Sequence, residues 1–258
     1  MNYFINFYRG RYILQSFIKQ DFKNKYRNSF LGVAWSFLSP LGLVLVIGMV
    51  YSIVFKIQAK EFIPYLFSGI IPWTFINIVA DTGTTSFINA QGYIKQTQVP
   101  VEIFPVRAVA GAFINLLISL SAFFAVYLFL GFENFSPKML MMIPALVIWL
   151  IFGIGWANIV SIINIYIRDF QPLQAILFQA LFYATPIIYT VDMIPSEYSL
   201  IYLANPLYYL MEILRQPLLG QTIPGIEKWI IAFSFSLITF ILGVYILNKN
   251  GRKISLKI

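Results

Sequence analysis

The chain contains no cysteine and no histidine. These absences exclude disulfide bonds, a thiol nucleophile and an imidazole base, and they remove the ligands that zinc sites use most. The sequence also has no Gly-x-x-x-x-Gly-Lys-Ser/Thr loop, the phosphate-binding signature of many ATPases, and no Asp-x-Asp pair. An enzymatic function would therefore have to rest on scattered carboxylates, lysines or hydroxyls.

Charged residues are scarce. Only 11% of residues are charged and 59% are hydrophobic, whereas an average soluble domain has about 25% charged residues. The net charge of +8 favours a membrane protein over a nucleic-acid-binding one, because basic residues accumulate on the cytoplasmic loops of membrane proteins. We therefore predict an all-α, polytopic membrane protein with no nucleic-acid partner.

Uncharged runs long enough to cross a bilayer recur along the chain. No Asp, Glu, Lys or Arg occurs between Arg27 and Lys56, and at about 1.5 Å per residue this run crosses a hydrocarbon core of about 30 Å as a helix. No cleavable signal peptide is recognised before it, so we expect insertion through this first span. Six spans are predicted, at about 31–55, 62–80, 105–131, 139–166, 172–190 and 229–248.

The distribution of basic residues predicts the orientation of these spans. An even number of spans places both termini on one side, and that side holds most of the 18 Lys and Arg residues, as the positive-inside rule requires of a cytoplasmic N-terminus. We expect residues 1–258 to form a single transmembrane domain.

Residues 3–26 have an amphipathic pattern. Apolar residues such as Phe4, Leu14 and Phe22 recur at helical spacing while Lys19 and Lys23 fall towards the other side, the pattern of a helix lying at the membrane surface. This helix is either an anchor that sets topology or a docking surface beside the first span.

The segment between the second and third predicted spans also differs from a simple loop. The polar stretch from Asp81 to Arg107 is either a solvated loop or a short helix at the cytoplasmic surface. Asp81 itself ends the second span, with a proton-relay role as the alternative to a plain surface carboxylate.

The outer segment 191–228 has two apolar pieces, 197–204 and 207–219, each too short to cross. We predict two short re-entrant helices there before the last span, with an interfacial platform as the alternative. Asn205 and Pro206 suit an N-cap and a first helical position. Glu212 and Arg215 are spaced to pair on one helix face.

Four stretches together resemble the membrane subunit of type-2 ABC exporters, and within that group the permeases that export O-antigen, capsule or teichoic acid. In chain order they are YRNSFLGVAWSFLSPL, YLFSGIIPWTFI, TPIIYTVDMIP and NPLYYLMEILR. The match in order and spacing covers nearly the whole chain.

The resemblance implies a homodimer in the bacterial inner membrane that works with two copies of a separate ATP-binding subunit. It implies that ATP and Mg²⁺ bind to that partner, that this chain binds no cofactor or metal and is not an enzyme, and that the cargo is a lipid-linked polysaccharide. Residues 3–26 would supply the interface helix, with Lys19, Lys23 and Arg27, and residues 92–102 the coupling helix. The coupling residues would be Tyr93, Ile94, Lys95, Pro100 and Glu102, although Val99 and Glu102 depart from the family pattern of an aromatic before and a basic residue after the proline.

The residues that would line a pore or gate are less clear from the sequence. Aromatic rings can stack on sugars, but most rings in such a chain pack against helices or lipid. The candidate pore or gate residues are Trp35, Trp73, Tyr189, Tyr208, Tyr209, Glu212 and Arg215.

Two other functions remain open. A related exporter of teichoic acid, lipid or drug would share these features. A membrane glycosyltransferase would need acidic pairs for its chemistry, and the outer carboxylates are scattered.

Overall fold

The computed structural model describes residues 3–25, 27, 31–32, 34–130 and 135–257. The predicted end of the N-terminal helix at Tyr26, part of the first quoted motif and residues 131–134, where the third predicted span ends, lie outside these residues. Within the described part of the chain the fold is all helical, with no strand. The α-helices, in chain order, are α1 Tyr3–Lys25, α2 Ala34–Phe55, α3 Ala59–Thr84, α4 Ser86–Asn89, α5 Gln91–Gln96, α6 Ile103–Leu130, α7 Met142–Tyr166, α8 Phe170–Ala184, α9 Leu200–Leu203, α10 Pro206–Leu218, α11 Ile226–Asn250 and α12 Ile254–Lys257.

Five helices in the described ranges are long and apolar enough to cross a membrane. They lie at five of the six predicted spans and comprise Ala34–Val54, Ala59–Thr84, Ile103–Leu130, Pro137–Tyr166 and Ile226–Asn250. The remaining predicted span, 172–190, contains α8, which has 15 residues and is therefore about 22 Å long. The chain continues to Thr190 without helical structure, so this segment is part helix and part irregular backbone.

The central helix of the bundle is α3. In the most apolar 18-residue stretch of α3, 78% of the residues are buried, whereas the corresponding stretches of α2 and α11 are 11% and 28% buried. The helix packs against α2, α6, α7, α8 and α10. Because α3 contacts elements from every part of the chain, it positions the polar sites described below.

The tightest contact in the bundle joins α7 to α11. A Cβ atom built on Gly155 would lie 2.5 Å from the backbone nitrogen of Phe240, and one built on Gly243 would meet the carbonyl oxygen of Gly155. Only glycine permits such an approach, and small residues are the usual means by which membrane helices come this close. The backbones of α7 and α11 therefore touch directly.

A second, smaller core lies where α1, α4, α5 and the start of α6 meet. Buried residues such as Leu14, Phe17, Phe87 and Ile103 form it together with Leu247 near the end of α11. We call this the α1 end of the bundle, and the opposite end, which holds α10, the α10 end.

The residues of α1 that pack on the bundle are only part of its apolar pattern. Tyr3, Leu14 and Phe17 are buried, whereas Phe4 and Phe22 are 66% and 38% exposed. Both faces of α1 thus carry aromatic side chains, and the exposed ones remain accessible to a membrane surface.

Candidate functional site

At the α1 end, the predicted coupling region contains a short helix followed by extended backbone. α5 covers Gln91–Gln96, and Thr97 begins the extended part. Ile94 is buried in the small core, whereas Tyr93 is 42% exposed and its ring lies 5.0 Å from that of Phe17 on α1. α5 is therefore fixed to α1 by one side of its surface.

These elements carry exposed cations beside the exposed Tyr93. Lys19 and Lys23 on α1, Arg27 after it, and Lys95 on α5 are all exposed. Pro100 is half-buried. We call this set, Lys19, Lys23, Arg27, Tyr93 and Lys95, the docking platform.

Glu102, predicted to contact another subunit, lies instead inside the chain. It is fully buried, with 0% exposure, and its Oε1 accepts a hydrogen bond of 2.9 Å from Asn6 Nδ2 on α1. A side chain with no exposed surface makes no direct contact with another subunit in this conformation. Its place is between α1 and the start of α6, which it joins.

Two further contacts fasten α1. Asp21 pairs with Arg107 of α6, whose Nε donates to Asp21 Oδ2 at 2.6 Å. Near the other end of the helix, Asn158 Nδ2 donates to the Tyr3 hydroxyl at 3.3 Å, and burial raises the pKa of Tyr3 to about 12. The docking platform is thus attached to both α6 and α7.

A polar strip runs along α3 in the half of the helix nearest the α1 end. The structure describes every residue of α3. Beyond the first turn of this helix, the only exposed residues are Thr74, Asn77 and Asp81. Their spacing of three and four residues puts them on one face, from about 4 to about 15 Å from the helix end at Thr84. The exposed face of the most buried helix is therefore polar.

This polar strip borders a groove between α3 and α8. The groove has a volume of about 460 Å³ and is lined by Asn77, Asp81, Gln171, Gln174 and Phe178, among others. Gln171 Nε2 donates to Asp81 at 2.9 Å. Gln174 donates to the Ala80 carbonyl at 2.8 Å, and its Oε1 is buried with no hydrogen-bond partner in the described residues.

One lining residue of the groove is aromatic. Phe178 packs edge-on against Trp73, with ring centroids 6.2 Å apart, and Trp73 lies behind it, only 4% exposed and 5.6 Å from the Phe182 ring. Amides and carboxylates beside aromatic rings offer hydrogen bonds and ring contacts together, which are the two interactions that sugars accept from proteins.

At the α10 end, a buried ionic cluster holds several elements together. Glu212 and Arg215 are 9% and 3% exposed and their charged atoms lie 3.8 Å apart, so the predicted pairing on one helix face is confirmed. Lys228 Nζ also donates to Glu212 Oε2 at 2.9 Å. We call Tyr65, Glu212, Arg215 and Lys228 the α10 clamp.

Arg215 connects this cluster to the irregular segment after α8. Its Nη1 donates to the Tyr65 hydroxyl at 2.9 Å and to the Pro186 carbonyl, and its guanidinium lies 4.4 Å from the Tyr65 ring. Non-helical backbone at membrane depth needs such partners for its carbonyls. The close approach leaves no room for a side chain at Gly69, whose Cβ would meet Arg215 Nη2.

The N-cap of α10 is the one predicted. Asn205 accepts from the backbone N–H of Leu207 at 3.0 Å, Pro206 follows as the first helical residue, and Asn205 Nδ2 donates to Thr185 Oγ1 at 2.8 Å. The first predicted short helix is fragmented into a turn at Ser196–Tyr198 and the four-residue α9.

Of the remaining candidate pore residues, the three tyrosines lie around the α10 clamp: the Tyr65 hydroxyl donates to the Tyr189 carbonyl at 2.9 Å, and the Tyr208 and Tyr209 rings are 5.2 Å apart. Trp35 is 53% exposed near the start of α2, while Tyr208 is 5% exposed and lies beside the α10 clamp, with Lys228 Nζ 5.6 Å from its ring centroid. Tyr189 and Tyr209 are half-buried and donate to the carbonyls of Tyr183 and Leu203. These hydroxyls close local turns.

Sequence reasoning missed the polar strip and the pairing partners of α1. The spacing of Thr74, Asn77 and Asp81 was visible in the sequence as three polar residues on one face of an apolar span. Nothing local signalled the pairing of Asp21 with Arg107, because the two residues are 86 positions apart. Among the described residues no group of three or more carboxylates is placed to hold a metal ion.

Comparison with known proteins identifies relatives over most of the chain. The profile of the family described as ABC-2 type transporter matches residues 12–219. An O-antigen export system permease protein RfbA of Klebsiella pneumoniae is 29% identical over 231 residues, covering 89% of this chain and 88% of that protein. The protein of the same name from Myxococcus xanthus is 27% identical over 207 residues, or 79% of each chain. The polysialic acid transport protein KpsM of Escherichia coli is 22% identical over 238 residues, or 90% of each.

Proposed function

This chain belongs to the ABC-2 type transporter family, and we propose that it is the membrane subunit of an ATP-driven exporter of a lipid-linked polysaccharide. Relatives that align with most of the chain are O-antigen export permeases. The chain is thus a multi-pass membrane protein that serves as a transport subunit. The glycan cargo is the part of the proposal that needs a test.

The observation that carries the proposal is the polar strip on α3. A polar side chain at membrane depth that does not face protein is costly unless it faces a water-filled path. Thr74, Asn77 and Asp81 are exposed where a helix facing lipid would show apolar residues. A hydrated path along this groove, with Phe178 in its lining, suits a chain of sugars.

The polar strip also supports a homodimer. In one copy the groove between α3 and α8 opens sideways, where lipid would meet Asn77 and Asp81. A second copy placed against the exposed apolar flank of α8, which includes Leu173 and Ile176 at 62% and 67% exposure, would enclose the two strips in one path.

The energy must come from another chain, because this one has no phosphate-binding loop. We propose that each copy binds one ATP-binding subunit, which holds ATP and Mg²⁺, through the docking platform. Its cations suit an acidic partner surface, and Tyr93 offers an apolar contact. A displacement of α1 would pass to α6 through Asn6–Glu102 and Asp21–Arg107.

The α1 end would lie in the cytoplasm and the α10 end outside. Both termini then lie inside, in accord with the positive-inside rule. Cargo would enter the groove from the α1 end, and the α10 clamp would hold the outer end of the path closed until the subunits move.

Two measurements test this proposal. The tagged protein is purified from its native membrane in mild detergent and analysed by mass spectrometry. We expect a stoichiometric ATPase with a phosphate-binding loop, and a chain that is isolated alone even after crosslinking would refute the exporter. Because the chain has no cysteine, single Tyr93→Cys and Ile223→Cys variants report the side of each end through labelling with a membrane-impermeant maleimide.

The cargo is tested by export in cells. We expect Asn77→Leu to lower surface polysaccharide by more than about tenfold, since it replaces a hydrogen-bonding side chain of the path with an apolar one. Asn77→Gln should retain most export. Ile241→Leu, on the exposed flank of α11, is the matched control. Wild-type export by Asn77→Leu at normal protein levels would exclude this groove as the path.

A further inference from the structure

We propose that a second cavity, between α1 and α6 at the α1 end, binds the phosphate headgroup of an anionic membrane lipid. The cavity measures about 460 Å³ and shares no lining residue with the groove between α3 and α8. Its walls come from α1, the end of α3, the turn that contains α4, and α6. It is separate from the docking platform and from the proposed sugar path.

The charge of the lining favours an anion. Lys25 and Arg107 face the cavity with Asp21 as the one carboxylate among its lining residues, so the cavity keeps a net charge of about +1 with all three ionised. Basic pockets between helices on the cytoplasmic side of a membrane are typical binding sites for anionic headgroups.

Both cations are positioned before any ligand arrives. Lys25 Nζ donates to Asn115 Oδ1 at 2.7 Å, and the guanidinium of Arg107 is held by Asp21 and lies 4.6 Å from the Phe17 ring. Two of the five N–H donors of Arg107 serve Asp21, and the others remain for an acceptor such as a phosphate oxygen. A preorganised site loses less conformational entropy on binding.

The apolar part of the lining favours a lipid over a free ion. Ile78, Phe104, Ala108 and Ala112 supply apolar walls to the cavity, among polar residues that include Thr82, Ser86 and Asn89. From Arg107 to Asn115 the lining extends eight residues, or about 12 Å, along α6. A cavity of this length with polar and apolar lining offers contacts both to a phosphate headgroup and to the first carbons of its acyl chains.

The inference does not depend on the polysaccharide cargo, and its test is independent of transport. The purified protein with its associated subunits is reconstituted with equal amounts of phosphatidylglycerol and phosphatidylcholine, and the retained lipid is counted by native mass spectrometry. We expect preferential retention of phosphatidylglycerol. Lys25→Gln should reduce it about fivefold, since one basic residue near a membrane contributes about 1 kcal/mol to anionic-lipid binding.

Two further variants separate the cavity from the general charge of α1. Arg9→Gln removes an exposed cation of the same helix that neither lines the cavity nor belongs to the docking platform, and it should leave retention unchanged. Ala108→Leu narrows the cavity and should reduce retention without removing a charge. Equal losses from Arg9→Gln and Lys25→Gln, or equal retention of the two lipids by the wild-type chain, would overturn the proposal.

A competition arm identifies the source of the phosphate group. Farnesyl diphosphate is added as a soluble lipid diphosphate to the phosphatidylglycerol-loaded protein. If farnesyl diphosphate displaces phosphatidylglycerol from the wild-type protein and not from Lys25→Gln, the site is assigned to a diphosphate lipid carrier. If phosphatidylglycerol stays bound, the site is assigned to a resident phospholipid. Displacement of phosphatidylglycerol by inorganic phosphate alone would refute a lipid site.

Discussion

Replacing Arg215 with alanine is expected to loosen the α10 end of the bundle. The side chain is 3% exposed and contacts three separate elements: Tyr65 on α3, the Pro186 carbonyl after α8, and Glu212 on α10. Alanine would remove all of these contacts. It would leave the Pro186 carbonyl with only the 3.4 Å hydrogen bond from the Tyr65 hydroxyl, and it would leave Glu212 Oε1 without the arginine cation.

The magnitude follows from the burial and the charge of the arginine side chain. Removing one partner of a buried ion pair costs about 3–5 kcal/mol, and a hydrogen bond to a charged group contributes about 1.5–3 kcal/mol. Lys228 still lies 2.9 Å from Glu212, so the carboxylate keeps one cation. We therefore take the lower end of the range for a broken buried ion pair and expect the free energy of unfolding to fall by about 3 kcal/mol. Arg215→Lys keeps the charge but not the planar fork, so its free energy of unfolding should fall by about half as much.

The assay is unfolding by sodium dodecyl sulfate in mixed micelles, followed by tryptophan fluorescence. Trp149 reports on the region, since its indole N–H donates to the Leu210 carbonyl at 3.0 Å. Arg168→Ala, at an exposed arginine, is the control and should change stability by less than about 0.5 kcal/mol. A double-mutant cycle of Arg215→Ala with Tyr65→Phe should give a coupling of about 0.6–1.7 kcal/mol. A destabilisation by Arg215→Ala no larger than that of the control would refute the clamp.

Two other predictions concern the helix contacts of the bundle. Gly155→Ala should reduce the yield of folded protein strongly, because its Cβ would lie 2.5 Å from the backbone nitrogen of Phe240. Gly42→Ala, whose Cβ would have nothing within 4 Å, should fold normally. The size-exclusion profiles of the two variants compare their yields of folded protein. Glu102→Ala should raise amide hydrogen exchange in α1 and leave α11 unchanged, since it removes the hydrogen bond to Asn6; unchanged exchange in α1 would contradict the assigned link.

Features set by neighbouring residues could be predicted from the sequence. The cap at Asn205 and the pairing of Glu212 with Arg215 depend on spacings of two and three residues, and both appear as expected. The apolar runs likewise predicted five spans, because crossing a hydrocarbon core requires a length and composition that the sequence displays directly.

Features set by distant contacts could not be predicted. Buried Glu102 has its hydrogen-bond partner in Asn6, 96 residues away, and the Pro186 carbonyl after α8 has its donor in Arg215, 29 residues away. The end of α8 itself follows from a local signal, because the residue before a proline is disfavoured in a helix and Thr185 is extended. For α1, aromatic residues lie on both faces, and contacts with distant elements decide which of them are buried. The sequence therefore indicated which residue types could form the candidate site, but it did not indicate how those residues are arranged in space.

The direct backbone contact of α7 with α11 determines which parts of the molecule can change shape. Side chains absorb small displacements by changing rotamer, and at Gly155 and Gly243 there are none between the two helices. The pair therefore turns or tilts as one body. α2, with few buried residues, and α8, which buries only Gln174 and Phe178, have no such constraint. We expect them to move against a stationary α7–α11 pair, and α8 would carry one wall of the groove with it.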